Sequence, residues 1–310
     1  MAFIKSLREK LHLFFTVPVS PVPLGVFRIL IALFVLIQAT LWYPDWLAFF
    51  GPDAWMQWEI SQALVINISI HISKVAKLFS LFGLTDDQSV ILFFWIYVVG
   101  AVGLLLGIFT RFWAILVWFC HYILMCSMDA YMYGVDIFLQ IALFYIMLMP
   151  VAKAFSLDAR LKRVNTEATW GVTLSLRVLQ IHLCLAYLSA GYEKMLSKDW
   201  WNGNVLWRSL VQPDFNQFNL TWLAHEPWIP MLLSWFTMVA ETGYIVAMWI
   251  PRLRVVWLAA MIMLHTGIAI FLGLWMFGLI MILLSLSAFG YDAYKDLSQS
   301  RKLFVKKSLV

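Results

Sequence analysis

Three ionisable side chains stand inside long apolar runs, where a charge is costly and is usually kept for a function. They are Lys194 in YLSAGYEKML, Glu241 in MVAETGY and His265 in IMLHTG. Lys194 is the candidate reactive group, because an amine at the mouth of a membrane helix, with aromatic residues just beyond it, is not explained by packing alone. Gln180, Tyr187 and Lys194 recur at intervals of seven, close to two helical turns, so they form one stripe of a helix. On that face Ala190 and Gly191 remove bulk, an arrangement expected to leave room for a flat ligand, and Trp200 and Trp201 follow just beyond. A structural reading stands beside this one. Lysines at span ends snorkel towards the interface, and paired tryptophans belong to the aromatic belt. Glu241 is equally explained as protonated or bonded to a neighbouring helix, and His265 as a satisfied interior histidine. Three such groups on three spans nevertheless point to one shared site.

The elements that must position these groups are membrane helices. The chain has 310 residues, 63% apolar and only 13% charged, with a mean hydropathy of +0.84, against roughly 25% charged residues in a soluble domain. Several apolar runs reach the ~20 residues that cross a bilayer. The fold class expected is therefore an all-α polytopic bundle of about eight transmembrane helices. The expected spans run from Leu24 to Tyr43, Ser89 to Phe109, Trp113 to Met128, Ile137 to Pro150, Thr173 to Lys194, Trp228 to Ile250, Val255 to Leu272 and Leu274 to Phe289. The segment from Ile60 to Leu84, interrupted by Asn67, His71, Lys74 and Lys77, is expected to be an amphipathic helix lying in the interface, with a ninth span as the alternative. Gly100, Gly103 and Gly107 allow close approach of a neighbouring helix. Residues 1–23 form a basic amphipathic N-terminus, 24–290 the transmembrane domain and 291–310 a basic tail.

The net charge of +5 comes mainly from the chain ends and a few loops. Such residues mark the cytoplasmic face and its anionic lipids, so membrane lipids are the expected partners and no nucleic acid is required. With Arg111, the Lys153 to Arg163 cluster, Arg252, Arg254 and the tail inside, an even number of spans places both termini in the cytoplasm and Lys194 near the outer face. Arg28, near the start of the first span, either snorkels or helps to bind a ligand. Cys120, Cys126 and Cys184 form no CxxC pair and lie in apolar spans, so they read as small hydrophobes rather than as metal ligands.

LGVFRILIALFVLI, GLLLGIFTRFW, YGVD leading to LDAR, and above all LAYLSAGYEKMLSKDWWNG, with the later His265 and Phe277, resemble the transmembrane HTTM domain of the vitamin K-dependent gamma-carboxylase family. The resemblance runs from Pro23 to about Phe289. It implies that Lys194, unprotonated, deprotonates reduced vitamin K, a naphthoquinol. Molecular oxygen then yields an epoxide and a strong base, which lets carbon dioxide add to a glutamate. His265, Asp129 and Trp200 would shape or poise the site. An ionised Glu241 paired to Lys194 would oppose the base role, so the two are expected not to touch. Asp129 stands where the animal carboxylase has a histidine, and the region that in that family holds propeptide-bearing substrates is not expected after the eighth span. Carboxylation of such a substrate by this chain alone is therefore not expected. The partners implied are a quinol-type small molecule and a peptide or protein substrate. The competing expectation is a non-catalytic accessory protein for maturation or export of a secreted peptide. A transporter is disfavoured by the lack of an internal repeat.

Overall fold

The structure, a computed structural model, describes residues 2–64, 69–128, 131–215 and 217–308. The described residues are helical with no strand, and they form two compact units: Pro18–Val172, and Met1–Val17 together with Thr173–Val310. The chain opens with α1 (Ala2–Thr16), which belongs to the second of these units.

In the Pro18–Val172 unit the helices are α2 (Val22–Trp42), α3 (Trp46–Phe50), α4 (Trp58–Leu64), α5 (Ile72–Ser80), α6 (Asp86–Leu106), α7 (Thr110–Ser127), α8 (Gly134–Leu148) and α9 (Leu157–Arg160). Helix α6 lies against α2, α5 and α7, and α7 against α8. Thr85 and Gln88 close a capping box at the start of α6, with Asp86 and Asp87 at the positive end of the helix dipole. Gly107, at φ 66°, ends it in the left-handed conformation that glycine adopts without strain. Gly103 allows Trp113 of α7 to lie so close that a β-carbon would meet its ring at 2.6 Å.

The last carbonyls of α6 have no partner within the helix, and Arg28 supplies one. Its guanidinium is fully buried and donates to the carbonyls of Leu104 and Leu105, both at 2.5 Å, and of Phe155, at 2.6 Å. The expectation of snorkelling is thus corrected, because the two terminal nitrogens of the guanidinium bond to buried backbone carbonyls instead of water, leaving only Nε without a partner among the described residues. The stretch from Ile60 to Leu84 is also corrected, being two short helices, α4 and α5, rather than one. His71 caps α5, accepting from the Ser73 amide at 3.1 Å through Nδ1. Asn67 lies outside the described residues.

The Met1–Val17 and Thr173–Val310 unit is built from α1, α10 (Trp170–Leu196), α11 (Lys198–Trp201), α12 (Asn204–Val211), α13 (Trp228–Ala247), α14 (Pro251–Leu272), α15 (Trp275–Ser285) and α16 (Tyr291–Ser308). Pro251 opens α14, where its missing N–H costs nothing, and Gly273 in left-handed conformation turns it directly into α15. A π turn over Leu286–Gly290 joins α15 to α16. The sequence placed the end of the last span at Phe289; the helical path instead continues through that turn. Arg177 ties α1 to this unit, its guanidinium stacked 4.4 Å from the Phe14 ring.

Seven helices among the described residues are long and apolar enough to cross a bilayer. Helix α8 has 15 residues, a rise of about 22 Å against ~30 Å of hydrocarbon. The architecture is that of a multi-pass integral membrane protein.

Candidate functional site

Lys194 lies in the last turn of α10 and meets Glu241 of α13. Its Nζ is 2.7 Å from Glu241 Oε2, and the two side chains are 21% and 7% exposed. The contact is an ion pair by distance, although it is off the line of a directed hydrogen bond. On its other side Nζ stands 5.3 Å from the centre of the Trp200 ring, a cation–π geometry. The expectation that lysine and glutamate stay apart is therefore wrong. An amine held by a carboxylate is not a free base, and the pair counts against Lys194 acting alone.

Gly191 explains the contact. A β-carbon there would lie 2.6 Å from Thr242 Cγ2 and 3.0 Å from Glu241 Cβ, so its absence is what lets α10 close onto α13. The room expected for a flat ligand is filled by Thr242 and Glu241. In a medium without water, two unpaired charges are far more costly than one pair, and the helices have come together at the position that pairs them.

A second polar layer joins α10 and α13 to α14 and α15. Tyr187 Oη is 2.9 Å from His265 Nε2 and 3.3 Å from Ser285 Oγ. The Tyr187 and Tyr244 rings are 4.5 Å apart, and Phe277 sits 6.0 Å from the His265 ring. His265 is 3% exposed, and its Nδ1 has no hydrogen-bond partner among the described residues. Lys194 is close enough to act on His265 by its charge, and Glu241 to act on Tyr187. The structure thus unites Lys194, Glu241, His265, Tyr187 and Trp200. Ser285 completes the layer, and nothing in its serine-containing apolar run LLSLSAF distinguished it beforehand.

Other predicted residues go elsewhere. Gln180 is fully buried and donates to the Ala288 carbonyl at 2.7 Å, in the π turn, while accepting from Arg177 at 2.7 Å. The seven-residue stripe is real as a face of α10, but its members serve different partners. Trp201 is 49% exposed and donates to the Met195 carbonyl at 2.8 Å. Arg28 belongs to the Pro18–Val172 unit and is occupied as described above. Asp129 lies outside the described residues.

The Pro18–Val172 unit holds a buried polar cluster that sequence reasoning missed. Tyr97 Oη is 3.1 Å from His121 Nδ1, His121 Nε2 is 3.3 Å from the Asp136 carbonyl, and Gln38 donates to Asp136 Oδ1 at 2.9 Å. The signal was present, since His121 in WFCHYILM sits in apolar sequence as His265 does. Asp136 stands in the sequence only as the last residue of YGVD, which does not reveal its buried partners. This unit also has a cleft of about 610 Å3, none of whose lining residues is a candidate named from the sequence. Asp158 borders it. Burial pushes the Asp158 carboxyl up, but the Thr110 amide and hydroxyl, the Phe109 amide and the Arg163 charge together hold it below the usual carboxylate range. Among the described residues no three His, Cys, Asp or Glu side chains are grouped to hold a metal ion, and Cys120, Cys126 and Cys184 are free thiols.

No match is found among curated proteins or solved structures. The sequence does match the HTTM domain over residues 52–292, a range that begins before α4 and ends at the start of α16. A match that takes in most of a chain already seen to be a multi-pass helical bundle places this protein in the HTTM domain family.

Proposed function

We propose that this HTTM-family membrane protein is an enzyme of proton chemistry on a lipid-soluble quinol, and that its acid–base unit is the Lys194–Glu241 couple rather than lysine alone. The observation that carries this reading is a partly buried amine in contact with a buried carboxylate, on a helix whose Tyr187 bonds His265, whose second ring nitrogen is buried and open. In water an ammonium–carboxylate pair is strongly favoured; in a dry site the neutral pair, with the proton on Glu241, comes close to it in free energy. Glu241 then serves as the store for the proton that Lys194 must lose. Tyr187 fixes the orientation of His265 from the side opposite Nδ1.

A reduced naphthoquinone, the substrate implied by the resemblance, would supply a hydroxyl to be deprotonated and a ring for oxygen to attack. The residues suit it in part. His265 Nδ1 offers a partner for a hydroxyl, and Phe277 and Trp200 offer aromatic faces. Beside Gly191, however, the space is taken, so the ring is accommodated near the amine only when α10 and α13 separate and the ion pair opens. Carbon dioxide addition to a peptide glutamate is a further step of the same proposal, and it rests on the resemblance alone.

The accessory reading is favoured by a different observation: Lys194, Glu241 and Gln180 all bind across helix contacts, as structural polar groups do. Incubating purified protein with reduced vitamin K and oxygen separates the two. Wild type is expected to form epoxide, with Lys194→Ala and Glu241→Gln each reducing it by about 100-fold or more. Equal background in all three proteins would overturn the enzymatic reading and leave the accessory one.

A further inference from the structure

The cleft of about 610 Å3 in the Pro18–Val172 unit lies where α7 begins and α8 ends, between the ends of two apolar helices. Much of its lining is apolar, including Ile146, Met149 and the 59%-exposed Phe112. Three cations line it: Arg111, Lys153 and Arg163. Lys153 donates to the Glu167 carbonyl at 3.0 Å, which engages one of the three donors of an ammonium. Arg163 stacks 4.5 Å from the centre of the Phe109 ring, and its nearest approach to Asp158, 3.7 Å, is too long for a hydrogen bond. Its fork of donors therefore remains available.

Of the acidic groups nearby, Asp158 offsets part of the Arg163 charge across 3.7 Å, but its oxygens are bonded to the start of α7, and Arg111 and Lys153 have no carboxylate within ion-pair distance among the described residues. Asp158 is buried and faces the start of α7, accepting from the Phe109 amide at 3.0 Å, the Thr110 amide at 2.8 Å and the Thr110 hydroxyl at 2.7 Å. The Glu167 carboxylate accepts from Asn165 at 3.2 Å.

We propose that this cleft binds an anionic phospholipid, with its phosphate among Arg111, Lys153 and Arg163 and the adjoining acyl carbons along Phe112, Ile146 and Met149. A free phosphate would satisfy the cations but leave the apolar wall against water. A zwitterionic lipid would cover the wall but bring its own cation to a basic rim. A lipid with net negative charge meets both conditions.

The test is native mass spectrometry of the full chain in detergent, titrated with phosphatidylglycerol, phosphatidylcholine or inorganic phosphate. Phosphatidylglycerol is expected to bind wild type in preference to phosphatidylcholine, and inorganic phosphate is expected not to compete. At about fivefold per cation removed, Arg111→Gln with Lys153→Gln weakens phosphatidylglycerol by roughly 30-fold. Arg208→Gln, which removes a 70%-exposed cation outside this unit, leaves the affinity unchanged. Unchanged affinity in the Arg111/Lys153 variant, an equal loss in Arg208→Gln, or equal binding of phosphatidylcholine each overturns the proposal. Displacement of the lipid by inorganic phosphate overturns it in favour of a phosphate site. Asp158 keeps its α7 partners in the double variant, and a melting temperature equal to wild type is the expected sign that loss of binding there is not loss of the fold.

Discussion

Lys194 and Glu241 are most informative as a pair. Removing one partner leaves the other without its counter-charge in a site only 21% or 7% exposed. Lys194→Met or Glu241→Leu alone is therefore expected to destabilise the protein by about 3 kcal/mol, whereas the double apolar variant recovers most of that loss. Thermal unfolding of the four proteins in detergent measures it, and additive losses would show that the contact contributes little. His71 provides a pH test away from the spans. Burial, and then the charge of Lys74, lowers its pKa from 6.5 to about 4, consistent with Nδ1 accepting the Ser73 amide. Between those two values the unfolded chain holds the extra proton and the folded one does not. Stability contributed by neutral His71 is complete above pH 6.5 and falls as the pH drops towards 4. His71→Asn, which keeps a cap acceptor without titrating, should flatten that part of a melting-temperature profile.

Helix contacts here are set by small residues and by ends. Gly191 is the hinge of the α10–α13 contact, since any β-carbon would press on the Thr242 backbone amide at 2.9 Å. Gly191→Val is expected to cost about 1–3 kcal/mol through overpacking. It should also part Lys194 from Glu241, so that a cysteine crosslink between α10 and α13 forms less readily than in the parent. The α6 end depends on an arginine in the same way that the α10–α13 contact depends on a glycine. Arg28 closes three carbonyls, and lysine, with its compact head, does not reproduce that fork.

At the scale of the whole molecule, the distribution of Lys and Arg predicts that both termini share the cytoplasmic side. Reporter fusions at the two ends should then give the same compartment signal; opposite signals would require an odd number of crossings and remove α8 or another helix from the count. Composition was enough to specify helices in a bilayer, because no other open structure satisfies backbone polar groups in hydrocarbon. Family membership was equally legible, since AGYEKMLSKDWWNG is local in the chain. Buried ionisable groups were visible too, because each stands out against apolar neighbours. Their partners were not visible. Whether Lys194 meets Glu241 or empty space depends on how closely α10 approaches α13, and hence on Thr242 as much as on Gly191. The division of the Gln180, Tyr187 and Lys194 stripe among three sets of partners likewise depends on which helix faces each turn. Spacing along one helix determines which way a side chain points, but only the packing of helices far apart in sequence determines what it finds there.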